Sequence, residues 1–103
     1  MSDYKDLMAK ISGYLEEHKD EMIAFLQEFI RIESVTYNEK KAVEFLAKKM
    51  KEYGYDEVRV DAVGNVLGRV GNRPKVIMHD AHIDTAEMGD LAEWKYNPLS
   101  VQI

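Results

Sequence analysis

The sequence predicts an α/β fold, with helices first and then three strands, arranged as the amino-terminal part of a three-layer α/β/α domain. Three observations predict it. Apolar residues recur at helical spacing through the first half of the chain. After Gly54 the spacing changes to alternation, as in half-buried strands. A short continuous apolar run, Val76-Ile77-Met78, then reads as a strand buried on both faces. Such a strand needs cover on both sides. The helices can supply one side, and no further helical pattern follows before Ile103. Residues 1–103 therefore read as a single incomplete domain, the opening portion of a larger one.

The first helix is expected from about Asp3 to His18, with Leu7, Ile11, Tyr14 and Leu15 on one stripe and Ser2 or Asp3 as its cap. The second runs from about Lys19 to Ile32. Met22, Ile23, Leu26, Phe29 and Ile30 make its apolar face, and Asp20 and Glu21 sit where the helix dipole favours acids. A break is expected near His18, which reads as solvent-facing. Glu33 to Tyr37 reads as a loop, since Ser34, Val35 and Thr36 are poor helix formers in a row. The third helix is capped by Asn38, presents Val43, Leu46, Met50 and Tyr53 on one face, and stops at Gly54. Its lysines, Lys48, Lys49 and Lys51, match the negative end of the helix dipole and need no binding role. Val58 and Val60 mark the first strand, Gly64-Asn65 a turn, and Val66, Leu67 and Val70 the second strand. Gly71-Asn72-Arg73-Pro74 is a further turn before the apolar run.

Composition narrows the function classes. The net charge is −5, which argues against a nucleic-acid partner, because phosphate binding needs a basic face. There is no cysteine, so any metal must be held by His, Asp or Glu. The amino terminus carries charges in place of an apolar signal core, and no apolar run reaches membrane-spanning length. A soluble cytoplasmic protein with no membrane partner is the expectation.

The apolar run leads directly into His79-Asp80-Ala81-His82-Ile83-Asp84-Thr85. In open α/β sheets, ligands bind outside the carboxyl ends of strands, where this segment lies. His82 and Asp84 are two residues apart, so they face the same side of an extended chain. That spacing suits an imidazole metal ligand whose second ring nitrogen is held by a carboxylate. Asp80 shares the parity, either as a further oxygen ligand or as a solvated strand end. His79 has the opposite parity, which favours packing or hydrogen bonding over ligation. Asp90 and Glu93, in a charged loop, are weak ligand candidates. Spacing alone does not decide: H-x-D is a common triplet, and a His–Asp pair at a strand end is more often a surface hydrogen bond than a metal site.

The surrounding words carry more. G-N-V-L-G-R-V, K-V-I-M-H-D-A-H-I-D-T and G-D-L-A-E-W-K-Y-N-P-L together resemble the zinc exopeptidase and deacylase family, which includes acetylornithine deacetylase, succinyl-diaminopimelate desuccinylase, aminoacylase and the glutamate carboxypeptidases. The preceding order of paired helices, an E-S-V-T loop, a helix and two strands joined through G-N also resembles that family, so the likeness covers nearly the whole chain. The D-A-H-I-D-T wording most resembles the selenium-metabolism-linked hydrolase branch. The sequence departs from the family pattern at Ala81 (usually Gly), Ala86 (commonly Val) and Leu99 (commonly Phe).

The resemblance implies an amide-bond hydrolase, an exopeptidase or N-deacylase, acting on small peptides or N-acyl amino acids with two zinc ions, cobalt or manganese being possible substitutes. It implies that His82 is a metal ligand and that Asp84 serves catalysis by orienting the His82 ring and raising its basicity. Trp94, Asn97 and Pro98 would shape a neighbouring loop, and Gly64 and Asn65 the turn between strands. The family's other ligands and its catalytic glutamate fall in segments beyond these residues. A catalytic zinc normally takes three protein ligands, so the 103 residues alone are expected to hold metal weakly and to be inactive. The competing expectations are a non-catalytic interaction module using an exposed sheet edge or face, and a plain α/β domain with an incidental H-x-D. Exposed apolar surface makes self-association an expectation as well.

Overall fold

In the computed structural model, residues 2–35 and 37–101 are described. The order is α1 (Ser2–Glu17), α2 (Lys19–Ile30), α3 (Lys40–Glu52), β1 (Glu57–Val60), β2 (Val66–Arg69) and a 3-10 turn at Leu91–Glu93. No helix among these residues is long and apolar enough to cross a membrane. The α/β composition holds as helices followed by a two-stranded antiparallel sheet.

α1 and α2 nearly merge at His18. Its amide donates to the Tyr14 carbonyl at 3.1 Å, and its own carbonyl accepts from Met22 at 2.9 Å. The helical bonding bridges the break, while the backbone leaves helical geometry there (φ −103°, ψ 11°). The imidazole is only partly exposed: it stacks on Tyr14 at 4.2 Å and contacts the Glu21 carboxylate at 2.9 Å. α1 starts at Ser2 itself, so neither Ser2 nor Asp3 precedes it as a cap. Its apolar stripe stays uncovered, with Leu7, Ile11 and Leu15 each about half exposed.

α2 packs against α3 through rings. Phe45 of α3 lies 5.7 Å from Phe25 and 5.9 Å from Phe29, the latter pair stacked at 13°. Tyr53 reaches Phe25 at 6.3 Å. Offset ring pairs of this kind add about 0.5–1.5 kcal/mol beyond their buried area. Lys49 reinforces the junction, 3.8 Å from Glu28 on α2 and 3.5 Å from Glu52. Partial desolvation pulls its pKa down, but Glu28 and Glu52 outweigh this and the net shift is upward. Among the described residues, Ala42 and Val43 are the buried apolar ones.

α2 ends at Ile30, two residues before the expected Ile32, with Arg31 as its C-cap. The expected loop after it is present, with Thr36 outside the described residues. α3 is preceded by Glu39, not Asn38, and Glu39 makes no side-chain cap bond to the helix. The Asn38 backbone N–H closes a turn just before the helix, donating to the Val35 carbonyl at 2.8 Å. The other end matches expectation. Gly54 takes φ 82°, its amide donates to Lys51, and the Tyr55 amide donates to Met50, the paired bonds of a glycine-terminated helix.

The hairpin pairs Glu57 with Arg69 and Val60 with Val66. Gly64 (φ 99°) lies in its five-residue loop, as the Gly64-Asn65 turn predicted. Asp61 organises that loop. Its carboxylate accepts from the Asn65 side-chain amide at 2.9 Å, the Asn65 backbone at 2.8 Å and the Val63 backbone at 3.0 Å. These donors favour the charged form, the Asn65 side chain most, and hold the Asp61 pKa below its ordinary value of 3.8. β2 packs on α3 where it has no side chain: a Cβ at Gly68 would lie 2.7 Å from Met50 Sδ and 2.7 Å from Tyr55 Cδ2.

One predicted element is corrected. Val76-Ile77-Met78 forms no strand, and its residues are 68%, 84% and 78% exposed. Val70 also falls outside β2. Apolarity alone does not make a strand; backbone groups need a partner to pair with, and no strand among the described residues lies alongside. The radius of gyration is 17.2 Å, against about 13 Å for a compact chain of this length.

Two outcomes follow from this packing. Gly68→Ala should destabilise the chain by about 1–3 kcal/mol through overpacking against Met50 and Tyr55; an unchanged thermal midpoint would refute the close approach. Because folded Asp61 binds its proton less tightly than the unfolded chain does, the loop's stabilisation is complete above the ordinary carboxylate value and lost as pH falls through the lowered one. The amide resonances of Val63 and Asn65 should titrate with a midpoint below 3.8, and a midpoint at or above it would contradict the assignment.

Candidate functional site

The segment after Met78 is extended without ladder partners until Thr85, which forms an isolated parallel bridge with Val35. Two hydrogen bonds secure it. The Thr85 amide donates to the Ser34 carbonyl at 2.8 Å, and the Ser34 hydroxyl donates to the Ile83 carbonyl at 3.1 Å. Ser34 is 4% exposed, a buried polar residue whose hydroxyl is satisfied by this bond. It had been legible only as a poor helix former in the E-S-V-T loop; its pairing with a segment about fifty residues away leaves no mark in local sequence.

His82 and Asp84 come together as their parity implied. His82 Nδ1 lies 3.2 Å from Asp84 Oδ1 and 3.1 Å from the Asp84 carbonyl oxygen. Both partners are acceptors, so Nδ1 is the nitrogen that carries the proton in the neutral ring. Nε2 then presents its lone pair outward. The His82 side chain is 84% exposed, so the nitrogen is open to an incoming ligand. This is the tautomer and orientation of a metal-binding imidazole backed by a carboxylate.

The other candidates separate from the pair. His79 and Asp80 are exposed on the unpaired stretch, so of the packing or hydrogen bonding expected of His79, burial supports no packing. Asp90 caps the 3-10 turn by accepting from the Ala92 amide at 2.9 Å, a structural use of its carboxylate. Among the described residues, no three His, Asp or Glu side chains converge to hold a metal ion. The loop residues take shape-setting roles. The Trp94 indole donates to the Met88 carbonyl at 2.9 Å, and Asn97 Oδ1 accepts from the Leu99 amide at 2.9 Å. Gln27 of α2 and Arg31, its C-cap, donate to the Val101 and Ser100 carbonyls, at 3.0 and 3.2 Å, which ties this turn to the helix.

Known proteins similar to the chain include three from different organisms. YgeY of Escherichia coli is 38% identical over 87 residues, covering 82% of this chain and 22% of the relative. A LysW-lysine/LysW-ornithine hydrolase of Pyrococcus abyssi is 39% identical over 71 residues, covering 69% of this chain and 21% of its own length. Succinyl-diaminopimelate desuccinylase of Ehrlichia chaffeensis is 31% identical over 86 residues, covering 75% and 22%. The chain thus spans about a fifth of the length of the curated relatives it matches. No family model and no solved structure matches it. A likeness over 69–82% of the chain, shared with proteins named as a hydrolase and a desuccinylase, places the chain in the peptidase and deacylase family to which succinyl-diaminopimelate desuccinylase belongs.

Proposed function

We propose that the chain is the amino-terminal part of a metal-dependent amide hydrolase, an exopeptidase or N-deacylase, in which His82 binds the metal through Nε2. The observation that carries this reading is the His82–Asp84 contact at 3.2 Å, which commits Nδ1 and exposes Nε2. The relatives named as hydrolase and desuccinylase support the reaction class, and a small peptide or N-acyl amino acid is the corresponding substrate class. The uncovered Val76–Met78 run and α1 stripe support a three-layer domain in which further elements cover them.

The donor set fits a borderline cation such as zinc, with cobalt or manganese able to replace it. A bound cation would polarise the scissile carbonyl and supply hydroxide near neutral pH. Asp84 does the work within this chain. Its carboxylate holds the Nδ1 proton, fixes the ring's rotation and makes Nε2 a better donor. A catalytic zinc takes about three protein ligands, and one exposed histidine binds such an ion weakly. The remaining ligands, and the acid–base group that serves the leaving amine, would come from other segments of the complete enzyme.

Zinc titrated into the chain should shift the His82 ring resonances and be removed by dialysis. His82→Ala should abolish the effect, and Asp84→Asn should weaken binding by about tenfold or more. Zinc that perturbs other residues and leaves His82 untouched would refute the site. The uncovered apolar surface should also make the isolated chain self-associate, visible as a sedimentation coefficient that rises with concentration; a monomer at every concentration would favour an interaction module over an uncovered catalytic layer.

A further inference from the structure

We propose that Ser34 is a positioning residue for the His82–Asp84 pair, setting which ring nitrogen faces the metal. The inference rests on the metal-ligand reading of His82. Ser34 uses two atoms on two successive peptide planes. Its hydroxyl holds the Ile83 carbonyl at 3.1 Å, fixing the peptide that enters Asp84. Its carbonyl holds the Thr85 amide at 2.8 Å, fixing the peptide that leaves Asp84.

The second plane matters most. In a trans peptide the N–H and C=O point in opposite directions. Holding the Thr85 N–H toward Ser34 therefore aims the Asp84 carbonyl away from it. That carbonyl oxygen is 3.1 Å from His82 Nδ1. With both flanking planes pinned, the carbonyl and the carboxylate of Asp84 face the same ring nitrogen, at 3.1 and 3.2 Å. His82 itself is 84% exposed, so packing contributes little to its orientation. The order in the pair is imported from the buried serine, 4% exposed, on the loop that precedes α3.

A serine that only stapled two loops together would leave the ring's tautomer unchanged, and this separates the roles. Nitrogen-15 shifts of the His82 ring in the 103-residue chain, measured above the imidazole titration, report the tautomer directly. The unsubstituted chain should show mainly the Nδ1–H form. Ser34→Ala should move the ratio toward Nε2–H by about three- to tenfold, the range of one lost hydrogen bond, and should speed exchange of the Thr85 amide, while the hairpin amides of Val63 and Asn65 stay in place. An unchanged ratio overturns the proposal. If Ser34→Ala loses the hairpin signals as well, Ser34→Cys, similar in size with a weak donor, decides. A shifted ratio with the hairpin intact supports positioning, whereas loss of the hairpin again makes Ser34 a general packing residue and overturns it. Zinc added to each sample tests the other reading separately. A ratio that responds to Ser34 while zinc leaves His82 untouched would sink the metal assignment and keep the clamp.

Discussion

A buried hydroxyl and its own carbonyl join the two halves of this chain. Ser34 lies between α2 and α3, and the segment it holds follows a stretch with no ladder partners. Burying a polar side chain without a partner costs roughly 1–3 kcal/mol. Ser34 can be 4% exposed because the Ile83 carbonyl accepts its proton. The bond thus serves both sides: the loop gains a satisfied interior, and the His82–Asp84 segment gains a fixed backbone.

Behind that joint stands a firmer body. Phe25, Phe29 and Phe45 interlock α2 with α3, and Gly68 lets the hairpin approach Met50 and Tyr55 on α3 and just after it. Each contact depends on shape more than on hydrophobicity alone. A ring stack at 13° needs both helices in one orientation, and a glycine at the strand face permits an approach that a methyl group would block. The Asp61 loop closes the far end of the hairpin with three donors on one carboxylate. Ser34 follows the end of α2 by four residues, on the chain that leaves this packed group.

The chemical content of the site lies in where one proton resides. An exposed imidazole in water has two comparable tautomers. Here two acceptors of Asp84 face Nδ1, and the neutral ring keeps its proton there. This leaves a surface histidine with Nε2 directed outward without burial. The hydrolase and desuccinylase relatives give that donor a chemical setting. Under the proposed function, the open surroundings of His82 leave room for further ligands.

Periodicity determined the three helices, the hairpin and its Gly64 turn, because amphipathic spacing and glycine's access to positive φ act over a few residues. Two-residue parity also put His82 and Asp84 on one side, and the words around them were enough to indicate the family. Tertiary structure decided what depends on distant partners. Val76-Ile77-Met78 reads as a buried strand but stays unpaired, since an apolar run specifies that it needs cover and not where the cover comes from. Asn38 had the right chemistry for a cap, yet α3 begins at Lys40 with Glu39 in the cap position, one residue later than the side chain of Asn38 could serve. Gly68 resembled any strand glycine until α3 lay against it. Ser34 read only as a poor helix former in a loop; its partners are Ile83 and Thr85, and only folding brings them within reach.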